Sequence, residues 1–415
     1  MQNSDSVKVP ILLVTANVGS LFEDVKNLLS GWIREIQQKI AALGHPKFIA
    51  FHFQEIGGKF PQAASESIHQ ITKQLLGSQV LSDYTAVVGY FDQDYKNDEK
   101  FTALGALFLV HKSLKNIAIW NYADGRFEKI KQGRQIFMHD LDSLETLEKL
   151  KYPKKFFPQM KWSRKGYLKT KWMISGIIVN LINIHLFHDP SNLVSMESSP
   201  SVYAGYRRNA FEYVLHGLDQ DPDPTFVFGD FNFRLDQFKF LKMVSKHCSV
   251  KTTFKDGEEE PSKLVVAEKK HPEKVRLVVE PSKFCLDHQR VLENNAAKLH
   301  KFDKEPQAFK KWLYEFPVEF LPTYPFKEDV EVTKPLYLEK RCPSWCDRVL
   351  LSHNTKEIIM DKHLAKYELN GLNTCMGDHK PVSLYLFVAG NEIFSQDPQN
   401  VIDPGNSCLM LETSV

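Results

Sequence analysis

The sequence predicts an α/β protein in which mixed β-sheets pack against one another with helices outside. Three observations predict it: apolar, β-rich segments recur along the whole 415 residues, helical patterns separate only some of them, and several neighbouring segments adjoin with no helix between. Parallel strands need long crossovers, usually helical, so these adjoining strands exclude one doubly wound parallel sheet and fit layered mixed sheets.

In order, the β-rich segments are 11–16, 48–53, 85–90, 103–110, 172–186, 225–228, 348–351 and 381–387. Helical periodicity marks 25–43, 63–76 and 201–218. Glu23 and Asp24 precede the first of these, where acids suit a helix N-terminus. Strands spread this evenly imply one large domain over residues 8–389. Residues 255–283 change character, with Gly257-Glu-Glu-Glu260, Lys/Glu clusters and three prolines, and read as a charged, solvated surface insertion with few ordered residues. Residues 390–415 read as a flexible tail.

Composition is that of a soluble globular chain, 43% hydrophobic and 25% charged. A net charge of +2 argues against a broad nucleic-acid footprint. Cys342 and Cys346 have zinc-like spacing, but no second Cys/His pair stands at a suitable distance, so reduced thiols of a cytoplasmic protein are the better reading. The polar start does not resemble a signal peptide, and apolar stretches at 102–110 and 173–184 fall short of a membrane span.

Chemistry gathers where apolar runs end. Phe226-Val-Phe-Gly-Asp-Phe-Asn-Phe-Arg234 places Asp230 and Asn232 two apart, on one face of extended chain. Asn17, Gln54-Glu55, Asn183/His185, Asp347/Arg348 and Asp378-His379 occupy similar positions. Each alone reads as a solvated or capping side chain. Together they make an oxygen and imidazole set without thiolate, which suits Mg²⁺. Arg341 and Arg348 flank Trp345 and Asp347, and guanidinium grips phosphate in bidentate fashion; the competing reading for each is a structural ion pair. Lys161, Arg164, Lys165, Lys169 and Lys171, interleaved with aromatics, form a basic run that alone would pass for a solvated face.

Thr15-Ala-Asn-Val18, Gln54-Glu55, Asn183-Ile-His-Leu186, Gly229-Asp-Phe-Asn-Phe-Arg234, Pro343-Ser-Trp-Cys-Asp-Arg348 and Gly377-Asp-His-Lys-Pro-Val382 follow one another in the order found in inositol polyphosphate 5-phosphatases, which the chain resembles over residues 11–388. That resemblance implies a four-layer α/β/β/α sandwich of the DNase I, or endonuclease/exonuclease/phosphatase, type. It implies an Mg²⁺-dependent phosphomonoesterase acting on soluble inositol polyphosphates. His185-Leu-Phe-His-Asp-Pro-Ser-Asn192, Trp162-Ser-Arg-Lys-Gly166 and Cys375-Met-Gly-Asp-His379 resemble the type I branch, so the implied substrates are inositol 1,4,5-trisphosphate and 1,3,4,5-tetrakisphosphate, and the implied role is ending calcium signals. Gly377 stands where most of the family has Ser, and Pro325 follows Tyr324 where others have a phosphate-reading Lys; the second departure favours soluble substrates over lipids.

Carried over by position, Glu55 and Asn17 would hold Mg²⁺, with Asp378 supporting metal or water. Asp230 would orient or deprotonate water beside Asn232. His379, oriented by Asp347, would meet the phosphoryl group, and His185 would bind the scissile phosphate. Arg341, Arg348, Arg164, Lys165 and Tyr324 would read the rest of the substrate. Rival readings are a phosphodiesterase of the same superfamily (nuclease or sphingomyelinase) and an inactive inositide-binding scaffold. Type I enzymes are expected to end in a prenylation box, but Cys408-Leu-Met-Leu411 is followed by four more residues. Thr413-Ser-Val415 instead fits a PDZ-domain ligand. Contact with the inner face of the plasma membrane is left open, though not through a C-terminal prenyl group.

Overall fold

A computed structural model describes residues 7–157, 164–218, 221–254, 261–286, 298–329 and 334–390. The expected C-terminal tail and PDZ ligand, the acidic Gly257–Glu260 stretch and the Lys161–Trp162 start of the basic run lie outside the described residues.

Two eight-stranded mixed sheets form the centre. The first is built around Val7–Asn17 and Phe48–Gln54, paired in parallel, with Val382–Gly390 antiparallel to the former. The second is built around Ile177–His185 and Thr225–Asp230, also parallel, with Asp347–Ser352 antiparallel to the latter. Alternation along strands explains the layering. Ile11 and Leu13 join Phe48, Phe108, Trp172, Phe226 and Phe228 between the sheets. Leu12 and Val14 face the opposite way, onto Leu28, Trp32 and Ile36 of the Val25–Ala42 helix and Ile68 and Leu75 of Ala64–Leu76. On the far side, Ile182, Ile184 and Val227 pack against Phe211, Val214 and Leu215 of Val202–Leu218. The architecture is therefore α/β/β/α.

Two local readings change. The single segment 172–186 is a hairpin, Gly166–Ile174 and Ile177–His185, closed by Ser175 and Gly176 at φ 50° and 82°. Positive φ at both central residues is the turn geometry that matches strand twist. The supposed solvated insertion also has regular structure: Cys248–Phe254, Pro261–Glu268, Val275–Glu280 and Lys283–Leu286 form a separate antiparallel sheet. Val266, Leu277, Val279 and Phe284 are fully buried on its inner face, against Leu193, Met196, Cys342 and Trp345. Its Lys and Glu residues hid a period-two apolar pattern.

His52 lies between the two central sheets, its ring stacked on Phe228 at 3.5 Å between centroids and its Nδ1 3.0 Å from the Phe228 carbonyl. Burial lowers its pKa to about 3, so it is neutral in the folded chain. The unfolded chain takes up that proton below about pH 6.5, so this contribution to stability is complete above pH 6.5 and declines as pH falls towards 3. Urea unfolding of the wild type is expected to lose up to about 1.4 kcal/mol per pH unit between pH 6 and 4 relative to His52→Gln. Parallel pH profiles for the two proteins would refute this.

Among the described residues, no helix is long and apolar enough to cross a membrane.

Candidate active site

The parallel strands Val7–Asn17 and Phe48–Gln54 end at the same edge of the first sheet, and Ile177–His185 and Thr225–Asp230 end at the matching edge of the second. Asp347–Ser352 and Val382–Gly390 run the other way, so their beginnings fall there too. Residues 17, 55, 185, 230, 347 and 379 are thereby gathered from six separate strands. A direct bond joins the two sheets at this edge, from Asn17 Nδ2 to Asp230 Oδ2 at 3.1 Å.

Asp230 is fully buried and strongly held. It also accepts hydrogen bonds from the Asn232 backbone N–H at 2.8 Å and Asn232 Nδ2 at 3.0 Å, while His185 Nε2 lies 3.3 Å from Oδ2. Asn232 adopts φ 51°, a left-handed conformation that turns its amide back onto Asp230. His379 Nδ1 meets Asp347 Oδ2 at 2.8 Å, and Thr323 Oγ1 donates to the same oxygen at 2.7 Å. Asp347 Oδ1 is buried without a hydrogen-bond partner. Burial would lower the pKa of His379, yet Asp347 and Asp230 lift it to about 10. Burial would raise Asp230, but His379 and His185 hold it well below the usual carboxylate range. The result is an imidazolium facing two carboxylates.

Glu55 leaves its strand at φ 59° and sets Oε1 3.6 Å from His185 Nε2. Burial pushes its pKa up, but Lys165, His185 and Arg164 outweigh that and bring it to about 2. Gly19 shows where its oxygens converge: a Cβ there would sit 2.9 Å from Glu55 Oε2 and 3.4 Å from Asn17 Oδ1. Asn17 Oδ1 accepts from the Gly19 N–H at 3.1 Å, and with Glu55 it offers hard oxygens of the kind that suit a divalent cation taking one or two carboxylates from the protein. Asp378 stands beside them, accepting from Ser20 Oγ at 3.1 Å. Asp230, Asp347 and His379 also form a group compact enough for a metal ion. Because His379 Nδ1 is already bonded to Asp347, that trio is better suited to holding a proton.

The remaining cations divide. Lys165 is buried against His185 Nε2, and burial lowers its pKa to about 8 despite Glu55 and Asp230. It therefore lies among His185, Glu55 and Asp230. Arg164 reaches the Gly58 carbonyl at 2.5 Å, beside the Glu55 loop. Lys169 and Lys171 are tied to Asp221 and Asp223, away from the centre. Among the described residues, the Arg341 guanidinium hydrogen-bonds only to carbonyls, of Lys340, Asp189 and Pro190 at 2.9, 3.3 and 3.3 Å. It is close enough to Tyr324 and Arg234 to interact electrostatically with both. The Tyr324 ring lies 4.4 Å from the His379 ring.

Arg348 does not reach the site. It is 1% exposed and binds Asp303 at 2.6 Å and Glu315 at 2.9 Å. Alternation decides this, since pointing Asp347 at His379 sends the next side chain to the opposite face. The ion-pair reading holds for Arg348.

Arg234 was missed as a site residue. Its Nη2 donates to Asn232 Oδ1 at 2.6 Å, its guanidinium lies 4.5 Å from the Tyr324 ring centre, and Nε and Nη1 are buried without partners. Its place two residues after Asn232 was the available signal. Gln54 and Asn183 are structural ties across the sheets, Gln54 Nε2 donating to Asn183 Oδ1 at 2.7 Å and Asn183 Nδ2 to the Phe53 and Gly105 carbonyls at 3.0 and 2.8 Å.

Residues 270–385 match the sequence family described as Endonuclease/Exonuclease/phosphatase family 2. The chain is 42% identical over 382 residues to human inositol polyphosphate-5-phosphatase A, covering 90% of this chain and 92% of that protein. The chain belongs to the inositol polyphosphate 5-phosphatase family. Another relative of this 5-phosphatase family member, 33% identical over 413 residues, is a Caenorhabditis elegans protein named probable type I inositol 1,4,5-trisphosphate 5-phosphatase; the match covers 91% of this chain and 99% of the relative. Among solved structures, it is similar to the 5-phosphatase domain of SPsynaptojanin in complex with inositol (1,4)-bisphosphate and calcium, at TM-score 0.49 and 14% identity, over 92% of this chain and 85% of that one.

Proposed function

We propose that this 5-phosphatase family member hydrolyses the 5-phosphate of inositol 1,4,5-trisphosphate, and of the 1,3,4,5-tetrakisphosphate, with Mg²⁺ as its metal. The observation that carries the reading is the convergence of Asp230, held by Asn17 and Asn232, with the His379–Asp347 pair and the Glu55/Asn17 oxygens at one edge of two sheets. The name of the 33%-identical relative supports the trisphosphate as substrate.

Asp230, held ionised, takes a proton from the attacking water. The water oxygen bonds to phosphorus, the bond from phosphorus to the ring oxygen breaks, that oxygen takes a proton from solvent while Asp230 returns its own, and inorganic phosphate leaves with inositol 1,4-bisphosphate. His379, its Nδ1–H donated to Asp347, presents Nε2–H to the phosphoryl oxygens, where charge spreads in the transition state. Lys165 and His185 add donors at the same phosphate. Glu55 and Asn17, with Asp378 beside them, would hold Mg²⁺, which supplies Lewis-acid polarisation and a more acidic water. Arg341, Arg234 and Tyr324 receive a phosphate that is not removed, and Arg164, held at the Gly58 carbonyl, adds positive charge beside Glu55.

Phosphate release from inositol 1,4,5-trisphosphate should require Mg²⁺, stop with EDTA, and return on adding Mg²⁺ in excess. Folded, Mg²⁺-replete protein that releases no phosphate would overturn the reading.

A further inference from the structure

The separate sheet of residues 248–286 is joined to the site through one side chain. Asn192 is fully buried, and its Nδ2 lies within hydrogen-bond distance of three carbonyls: Glu280 and Lys283 at 3.2 Å each and Lys340 at 3.0 Å. Its backbone N–H donates to the Pro281 carbonyl at 2.9 Å. One residue thus grips both ends of the turn between Val275–Glu280 and Lys283–Leu286 and also the residue before Arg341. A second tie runs alongside, from the Phe284 N–H to the Glu339 carbonyl at 2.9 Å.

Arg341 depends on these same segments. Its guanidinium donates to the Lys340 carbonyl, which Asn192 also holds, and to the Asp189 and Pro190 carbonyls, three and two residues before Asn192. Asp189 acts on Arg341 electrostatically, but among the described residues the guanidinium's hydrogen bonds go to neutral carbonyls, so Arg341 can engage an incoming anion without first breaking a direct ion pair. These carbonyls also hold it less firmly than a carboxylate would. Its aim therefore rests on the spacing between the 189–192 loop and the 339–341 segment. An amide carries two N–H groups, enough to bridge these segments, whereas a carboxylate at this position could donate to none of the three carbonyls.

We infer that Asn192 is a positioning residue for Arg341, and that the 248–286 sheet is the buttress through which it sets affinity for the phosphate that is not removed. This rests on the proposed function in taking an inositol polyphosphate as the ligand and Arg341 as a contact for the phosphate that is not removed. Asn192 touches no reacting atom.

The test is equilibrium binding of inositol 1,4,5-trisphosphate in EDTA, by calorimetry, to wild type, Asn192→Asp, Arg341→Ala and the double variant, with inorganic phosphate as a second probe. Asn192→Asp keeps the shape and removes the donors. Each single variant is expected to weaken trisphosphate binding about tenfold, a change of about 1.4 kcal/mol. The double variant should be no weaker than Arg341→Ala alone, since both changes disable the same contact. Binding of inorganic phosphate should stay within a factor of about two. Asn192→Ala with thermal melting guards against a folding artefact. A lower melting temperature with unchanged trisphosphate affinity in both Asn192 variants would overturn the assignment, as would additive losses or equal loss of phosphate binding. Failure of the proposed function is read separately, as wild type that binds the trisphosphate but does not turn it over with Mg²⁺.

Discussion

Asp230→Asn is expected to lower kcat for inositol 1,4,5-trisphosphate about a thousandfold while KM moves little. General-base contributions span roughly 10²–10⁴ in rate. In the proposed reaction this carboxylate is the proton acceptor, and its charge also acts on His379. It is buried completely and fixed by two amides and a backbone N–H, so it is oriented before substrate arrives. An amide keeps the shape but cannot take the proton. It also sets a donor against Asn17 and Asn232, which are themselves donating, and removes a charge that keeps His379 protonated. Initial-rate measurements over a range of substrate concentrations separate kcat from KM. Turnover within tenfold of wild type would remove Asp230 from the chemistry and move the proton to another group.

Arg348→Met is expected to cost about 3–5 kcal/mol of folding stability without changing KM. Removing one member of a buried ion-pair set leaves uncompensated charge inside the protein, and losses of that size are typical. Here two carboxylates would remain, Asp303 and Glu315, with Glu315 also accepting from Tyr367 Oη at 2.8 Å. The Trp345 carbonyl would lose its bond from Arg348 Nε as well. Arg341→Ala should do the reverse, raising KM about tenfold with a small change in stability, because it surrenders only contacts to neutral carbonyls. Urea denaturation beside steady-state kinetics distinguishes the two arginines. A stable Arg348→Met protein with a raised KM would return that guanidinium to the substrate.

These two arginines show where sequence reasoning stops. They stand seven residues apart in one motif and have identical chemistry. One lies near Tyr324 and Arg234, and the other meets a pair of half-buried acids, Asp303 and Glu315, residues with nothing local to mark them as partners. The motif identifies the loop, but the direction of each side chain depends on strand phase. Arg234 makes the same point: its sequence context is visible, but not that its Nε and Nη1 are buried without hydrogen-bond partners among the described residues. Lys165 was legible as a cation near the substrate, whereas its contact with His185 follows from the packing of Gly166–Ile174 against Ile177–His185, with Gly166 opposite His185.

The family, the layered α/β class and the polar residues at strand ends could be read from the chain because period-two apolar runs and local motifs are properties of adjacent residues. The convergence of Asn17, Glu55, His185, Asp230, Asp347 and His379 was legible as a set, since all lie next to the ends of apolar runs and such ends gather at one edge of a sheet. Their distances were not. The 248–286 sheet was hidden because abundant Lys and Glu on its outer face masked an alternating inner face. The grip of Asn192 on Glu280, Lys283 and Lys340 spans as many as 148 residues of sequence. Contacts of that range are chosen by the folded packing, where burying a polar group demands a partner from wherever the chain can supply one.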